Sequence, residues 1–152
     1  MLPTIERILF LRSADIFSVI NGEDLAPLAM VAQEVTFTAG ETFIRQGEPG
    51  DCLYIVVDGE VEIAATDGKH AGSGATPVAV RGPGSVIGEM AVLSGGTRAA
   101  DCVARTDVLA LQLSRDDFLE MLEERPALAI GVIEVLTRRL DQATQRAAAN
   151  RS

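Results

Sequence analysis

The stretch EVTFTAGETFIRQGEPGDCLYIVVDGEVEIAATDG (34–68) constrains this chain more than any other, because it leaves little room for a helix or a long strand. It is a string of short β-prone runs punctuated by Gly, Pro and Asp. Turn signals stand at 39–41 (AGE), 47–51 (GEPGD) and 58–60 (DGE), where Gly59 supplies a backbone shape that a β-carbon would resist. CLYIVV (52–57) is nearly continuous in apolar character and predicts a well-buried strand, whereas EVEIA (60–64) alternates and predicts a half-exposed one. TPVAV (76–80) and DVLALQL (107–113) continue the series. Short strands closed by turns every eight to twelve residues or so predict an antiparallel barrel or jelly roll.

The flanks change period. Thr4 is placed to cap TIERILFLR, beside an apolar stripe of Ile5, Ile8 and Leu9. SADIFSVI predicts a short helical turn. NGEDLAPLAMVA predicts another, with acids where the helix dipole favours them and Pro27 near enough to the start to be tolerated. Beyond the β region, Ser114 is placed to cap SRDDFLEMLEE, and Pro126 opens a long final helix. Along that helix Ala129, Ile133, Leu136, Leu140 and Ala143 recur at helical spacing and are expected to pack inward or against a partner. The fold class expected is mainly β: an antiparallel β-roll (jelly roll, or double-stranded β-helix) over 34–113, flanked by helices over 1–33 and 114–148. A single domain spans 1–152, and no internal repeat is visible.

Charge and composition narrow the function. The formal net charge is −9, from 22 acidic and 13 basic residues, so no broad cationic surface for a nucleic-acid backbone is expected. Arg138, Arg139 and Arg146 alternate with Glu134 and Asp141 and read as a solvated helix face. The stretch after Arg139 is too short for a helix-turn-helix reader, and direct nucleic-acid binding is not expected. No apolar run approaches the roughly 18–20 residues of a membrane span, and the N-terminus lacks a secretory leader, so a cytoplasmic or cytoplasm-facing location is expected. Cys52, Cys102 and His70 are too few for a metal site. No metal or cofactor is expected, the thiols suit a reducing compartment, and His70 reads as a loop residue in GKHAGSG.

The segment GPGSVIGEMAVLSGGTRAADCVA (82–104) carries the chemistry. Gly88 permits close backbone approach, and residues 89–93 form a single helical turn whose unpaired N–H groups face an anion. Arg98 offers a guanidinium fork suited to phosphate oxygens, and Glu89, as an ionised acceptor, suits a hydroxyl. A ligand with a hydroxyl at one end and an anion at the other would use both. The bland alternative is a Glu89–Arg98 ion pair closing a surface turn, and the residues alone leave both open. Phe37, Phe43, Tyr54 and Phe118 read as packing residues.

This segment resembles the phosphate-binding cassette of the cyclic nucleotide-binding domain family, found in catabolite-activator regulators, protein kinase regulatory subunits and nucleotide-gated channels. GETFIRQGEPGDCLYIVVDGEVEI also resembles the first half of that family's roll, through Gly40, Gly47, Asp51 and Gly59, and the likeness covers roughly residues 14–138. The resemblance implies a non-catalytic regulatory domain. Gly88 and Glu89 would contact the ribose, Glu89 at its 2′-hydroxyl. Arg98 would neutralise the cyclic phosphate, helped by backbone groups of Met90, Ala91 and Ala99, with Ala100 completing the ligand-binding set. A Thr or Ser after the arginine tends to favour cGMP in this family; Ala99 stands there, which implies cAMP. The base would lie against Val80, Cys102 or the C-terminal helix, which would re-dock and transmit binding to an effector domain in cis or to a partner protein. A homodimer through that helix is a further implication. One departure is Gly95-Gly96-Thr97, where proline is common, which implies a looser pocket. Two rival readings are a degenerate roll kept for protein interaction and an enzyme on a similar roll, the latter wanting inward histidines that this chain lacks.

Overall fold

The computed structural model describes residues 1–65 and 76–150, with the backbone alone for 76–78. The glycine-rich loop expected at 66–75, His70 included, lies outside the described residues. The N-terminal layer holds α1 (Thr4–Ser13), a 3-10 turn (Asp15–Phe17) and α2 (Gly22–Val31). Next comes the roll, two antiparallel sheets of four strands. One sheet runs in the order β1 (Gln33–Phe37), β8 (Val108–Ser114), β3 (Cys52–Asp58), β6 (Val86–Ile87). The other runs β2 (Thr42–Ile44), β7 (Asp101–Ala104), β4 (Val61–Ala65), β5 (Thr76–Arg81). A short α3 (Glu89–Ser94) interrupts the roll, and α4 (Arg115–Glu124) and α5 (Pro126–Asn150) close the chain order. The expected antiparallel roll with flanking helices is the observed fold.

Within the β1–β8–β3–β6 sheet, β3 is buried on both faces, which explains the unbroken apolar run in CLYIVV. Leu53 pairs with Leu113 and Ile55 with Leu111, and this face packs on the helices with Phe17, Phe118 and Leu128. The alternate residues Tyr54, Val56, Val108 and Ala110 turn into the roll, against Ile44, Val61 and Cys102. A strand's period of two thus divides one apolar segment between two cores. Phe17 and Phe118 meet edge to face at 5.9 Å in the helical core, as their reading as packing residues requires.

The helix ends are mixed. Ser114 caps α4 as expected, its Oγ accepting from the Asp117 N–H at 3.1 Å, and Asn21 caps α2 in the same way at 3.0 Å. Thr4 does not cap α1; it is the first helical residue, preceded by Pro3, with no side-chain cap. Pro27 sits in the middle of α2, where its ring nitrogen can donate no helical bond. The apolar stripe of α1 is split: Ile5 and Leu9 are exposed, Ile8 packs on the helical core, and Leu11 is fully buried.

The stripe expected to pack from α5 is split as well: Leu136 packs on the core, but Ile133 and Leu140 are 61% and 67% exposed, and Leu128, Gly131, Val132 and Val135 form the inward face. Gly131 decides this, because it seats directly on the segment after the 3-10 turn: a Cβ there would lie 2.5 Å from Ile20 Cγ1. The closest approach goes to the smallest residue, flanked by Leu128, Val132 and Val135, and Ile133 and Leu140 are left on the far side. Among the described residues no helix is long and apolar enough to cross a membrane.

Candidate functional site

Local backbone geometry builds the site. Gly88, between β6 and α3, has φ +84°, and a Cβ there would collide with Arg98 Nη1, so the position requires glycine on both counts. Gly95 (φ +73°) ends α3 in the left-handed cap, its N–H bonded to the Ala91 carbonyl at 3.0 Å. The glycine pair before Arg98 is therefore not slack. The Gly96 carbonyl accepts from Gly50 N–H at 3.2 Å, and Arg98 exchanges backbone bonds with the same turn, donating to Glu48 O at 2.8 Å and accepting from Gly47 at 2.9 Å. The GEPGD turn braces the segment that carries the arginine.

Arg98 is 7% exposed and is the only charged residue among the buried side chains of the described residues. Nη1 donates to the Gly88 carbonyl at 3.0 Å and Nη2 to the Cys52 carbonyl at 2.5 Å, with the Cys52 sulfur 3.8 Å away. Among the described residues no carboxylate pairs with it. A desolvated guanidinium held only by neutral groups keeps most of its positive field for whatever enters beside it.

The Glu89–Arg98 ion pair does not form. Glu89 instead bonds Arg139 of α5, Oε1 to Nη1 at 3.0 Å, and Arg139 also grips Asp15 with two bonds, Nη2–Oδ1 at 2.5 Å and Nε–Oδ2 at 3.1 Å. Arg139 is thus no member of a solvated face. Once the buried face of α5 is known, its position follows: Leu128, Val132 and Val135 continue at helical spacing onto residue 139. Its hydrogen bonds to Asp15, reinforced by Glu89, push the guanidinium pKa up against the opposing effect of burial.

The seven residues singled out in the sequence, Gly88, Glu89, Met90, Ala91, Arg98, Ala99 and Ala100, all line one cavity of about 330 Å³. Ile44, Ile63, Ile87 and Cys102 form its apolar wall. This lies at the lower end of the size range of small-molecule pockets, with the apolar lining and few polar groups typical of them. Val80, considered as a base contact, is 42% exposed and does not line the cavity; Cys102 does. A neighbouring chamber of about 470 Å³ shares Arg81, Val86 and Glu89 with it and adds Asp15, Ser85 and Arg139. Phe37 and Phe43 stack at 4.2 Å and meet Tyr54 edge-on, so these rings pack on one another.

The cavity wall offers no activated nucleophile. Burial pushes the Cys102 thiol up to about 11, with Arg98 opposing the rise only in part. Burial, followed by a hydrogen-bonding contact of the phenol with the Cys52 sulfur at 3.1 Å, also pushes the Tyr54 phenol upward. Both cysteines are free, and among the described residues no three His, Cys, Asp or Glu side chains cluster as metal ligands would. The site can hold an anion at Arg98 and a hydroxyl at Glu89.

That geometry belongs to a known class. The family model of the cyclic nucleotide-binding domain matches residues 34–125, and the chain belongs to that family. It is 33% identical over 86% of its length to the CRP-like cAMP-activated global transcriptional regulator of Mycobacterium tuberculosis, of which it spans 57%. The N-terminal domain of a transcriptional regulator from Streptomyces coelicolor superposes with a TM-score of 0.78 at 33% identity, covering 90% of this chain and 95% of that one. The regulatory domain of Toxoplasma gondii PKA, solved with cAMP, gives 0.70 at 30% identity, covering 78% and 44%.

These relatives correct one expectation. Nucleic acid was excluded as a partner, yet two of these three relatives are transcriptional regulators or a domain of one. The exclusion drew on the charge and length of these 152 residues alone, whereas the M. tuberculosis regulator is matched over little more than half its length. Acidity of a ligand-binding domain does not describe the electrostatics of a longer regulator.

Proposed function

We propose that this chain is a cAMP sensor domain that transmits occupancy through α5. One observation carries the reading: Arg98, almost fully buried at the cavity wall, is bonded only to neutral groups. A buried cation without a counter-charge is costly, and an entering cyclic phosphate would offset that cost with charge-assisted bonds. Glu89 would take the ribose 2′-hydroxyl, Gly88 and the backbone of Met90, Ala91 and Ala99 would line the sugar and phosphate, and Ala100 would close the rim. Ala99 brings no hydroxyl to the base, which favours cAMP over cGMP. The M. tuberculosis relative is cAMP-activated and the T. gondii domain was solved with cAMP, which supports the same choice. The domain binds without turning over its ligand: Glu89 is engaged by Arg139 and the Cys102 thiol is neutral. It works in the cytoplasm as one unit, with its output in cis or on a separate partner.

Calorimetric titration with cAMP, cGMP alongside, tests this. One-site binding of cAMP, tighter than cGMP and weakened about a hundredfold or more in Arg98→Ala, is the expected result, since a charge-assisted buried contact contributes roughly 1.5–3 kcal/mol and truncation also strands its partners. Absence of heat, with an unchanged melting temperature on adding cAMP, would replace it with a roll kept for protein interaction.

A further inference from the structure

Resting on that reading, we propose that Asp15, far from the cassette in sequence, is a positioning residue of the ligand site. Acting through Arg139, it ties the N-terminal layer and α5 to the carboxylate that receives the ligand's hydroxyl.

Three side chains from three parts of the chain make the connection. Arg139 lies 124 residues from Asp15 and 50 from Glu89, and its guanidinium spans both. The two-point grip of Asp15 on Nε and Nη2 fixes the plane of the fork, which leaves Nη1 directed at Glu89 Oε1. A lysine or a singly held arginine would not be oriented in this way. Arg139 occupies only Oε1, so a donor hydroxyl would be received by Oε2 of the same carboxylate, in the rotamer the arginine has already selected. Asp15, Arg139 and Glu89 also line the chamber that shares Arg81, Val86 and Glu89 with the ligand cavity, so a ligand filling the cavity meets the connection at Glu89.

Arg139 is also the last half-buried residue of α5. Leu128 to Val135 seat the helix on Ile16, Phe17 and Ile20, which belong to the same layer as Asp15. From Leu140 to Asn150 every residue is exposed. Glu89 alone of the three belongs to the roll's cassette. Whatever fixes the Glu89 rotamer therefore also favours the docked end of α5, and by linkage a docked α5 favours the ligand by the same factor.

Asp15 is 60% exposed at its side chain and Asp15→Asn is isosteric, so the variant folds. Its affinity for cAMP is expected to fall about two- to fivefold, the range of a partly exposed ion pair. In a Glu89→Gln background the same substitution is expected to change affinity by less than about 1.5-fold, because the path is already cut. Amide hydrogen exchange over residues 136–146 is the second readout. In the ligand-free chain Asp15→Asn and Glu89→Gln should each speed it several-fold, and the protection that cAMP adds to the wild-type helix should shrink in Asp15→Asn. A purely structural role for Asp15 would lower the melting temperature while leaving the cAMP-induced protection intact. Wild-type affinity in Asp15→Asn, equal losses in both backgrounds, or unchanged exchange in the ligand-free variants overturns the proposal. A wild-type chain that gives no cAMP heat overturns the ligand reading and the sensing step with it; faster ligand-free exchange in both variants would still establish the tie between Asp15, Glu89 and α5.

Discussion

The cassette (82–104) and the last helix (126–150) bound the same site, but they are determined in different ways. In the cassette each glycine answers a local demand: Gly88 for a left-handed backbone beside Arg98, Gly95 for the end of a short helix. Such demands are satisfied within a few residues, so their sequence signal is local. In α5 the apolar periodicity is real, yet it does not say which face meets the fold. Gly131 and its contact with Ile20 settle that, and they turn Ile133 and Leu140 outward and Arg139 inward. A site assembled from both regions is therefore half legible by motif and half hidden in packing.

The sharpest way to break this comparison lies in α5. Leu128→Ala, at a fully buried position, should cost about 2–4 kcal/mol in urea unfolding, while Ile133→Ala, on the exposed stripe, should change stability by no more than about 0.5 kcal/mol. Equal costs would mean that the exposed stripe is the packed one. Gly88→Ala tests the cassette. Left-handed strain and displacement of Arg98 should together remove about 2 kcal/mol of stability, and cAMP affinity should drop tenfold or more in the calorimeter. A smaller effect concerns the cavity wall. The Cys102 thiol is raised from 9.0 to about 11 in the fold, so its contribution is complete below pH 9 and is lost as pH rises toward 11. Stability should fall by about 1–2 kcal/mol across that window, allowing for screening, and the fall should be shallower in Cys102→Ala. Smallest is the cap of α4: Ser114→Ala should cost about 1 kcal/mol without altering cAMP affinity, since Ser114 does not line the cavity.

The roll itself was open to reading because turn residues and short β-prone runs encode it locally. Part of the cavity lining was open too, since seven of its residues fall within 88–100, although the turn at 47–51 and the Cys52 carbonyl are needed to hold Arg98 in place. Three features were not. The Thr4 cap failed because Pro3 already sets an extended entry to the helix. The residues alone left a Glu89–Arg98 pair open; it does not form because Arg98 is drawn under Gly88 toward the Cys52 carbonyl, leaving Glu89 to α5. Arg139 was assigned to solvent because neighbouring charges in sequence say little about which helix face they occupy.

The sequence by itself determined the alternation of strands and turns, the glycine-framed cassette and the placing of Glu89 and Arg98 within it. Those are matters of backbone conformation and side-chain chemistry, which act over a few residues. Only the tertiary structure decided which face of α5 is buried and that Asp15, Arg139 and Glu89 meet. Contacts between residues 50 and 124 positions apart depend on how whole elements dock, and docking is set by close packing at Gly131 and Ile20 rather than by any local preference of the residues that it brings together.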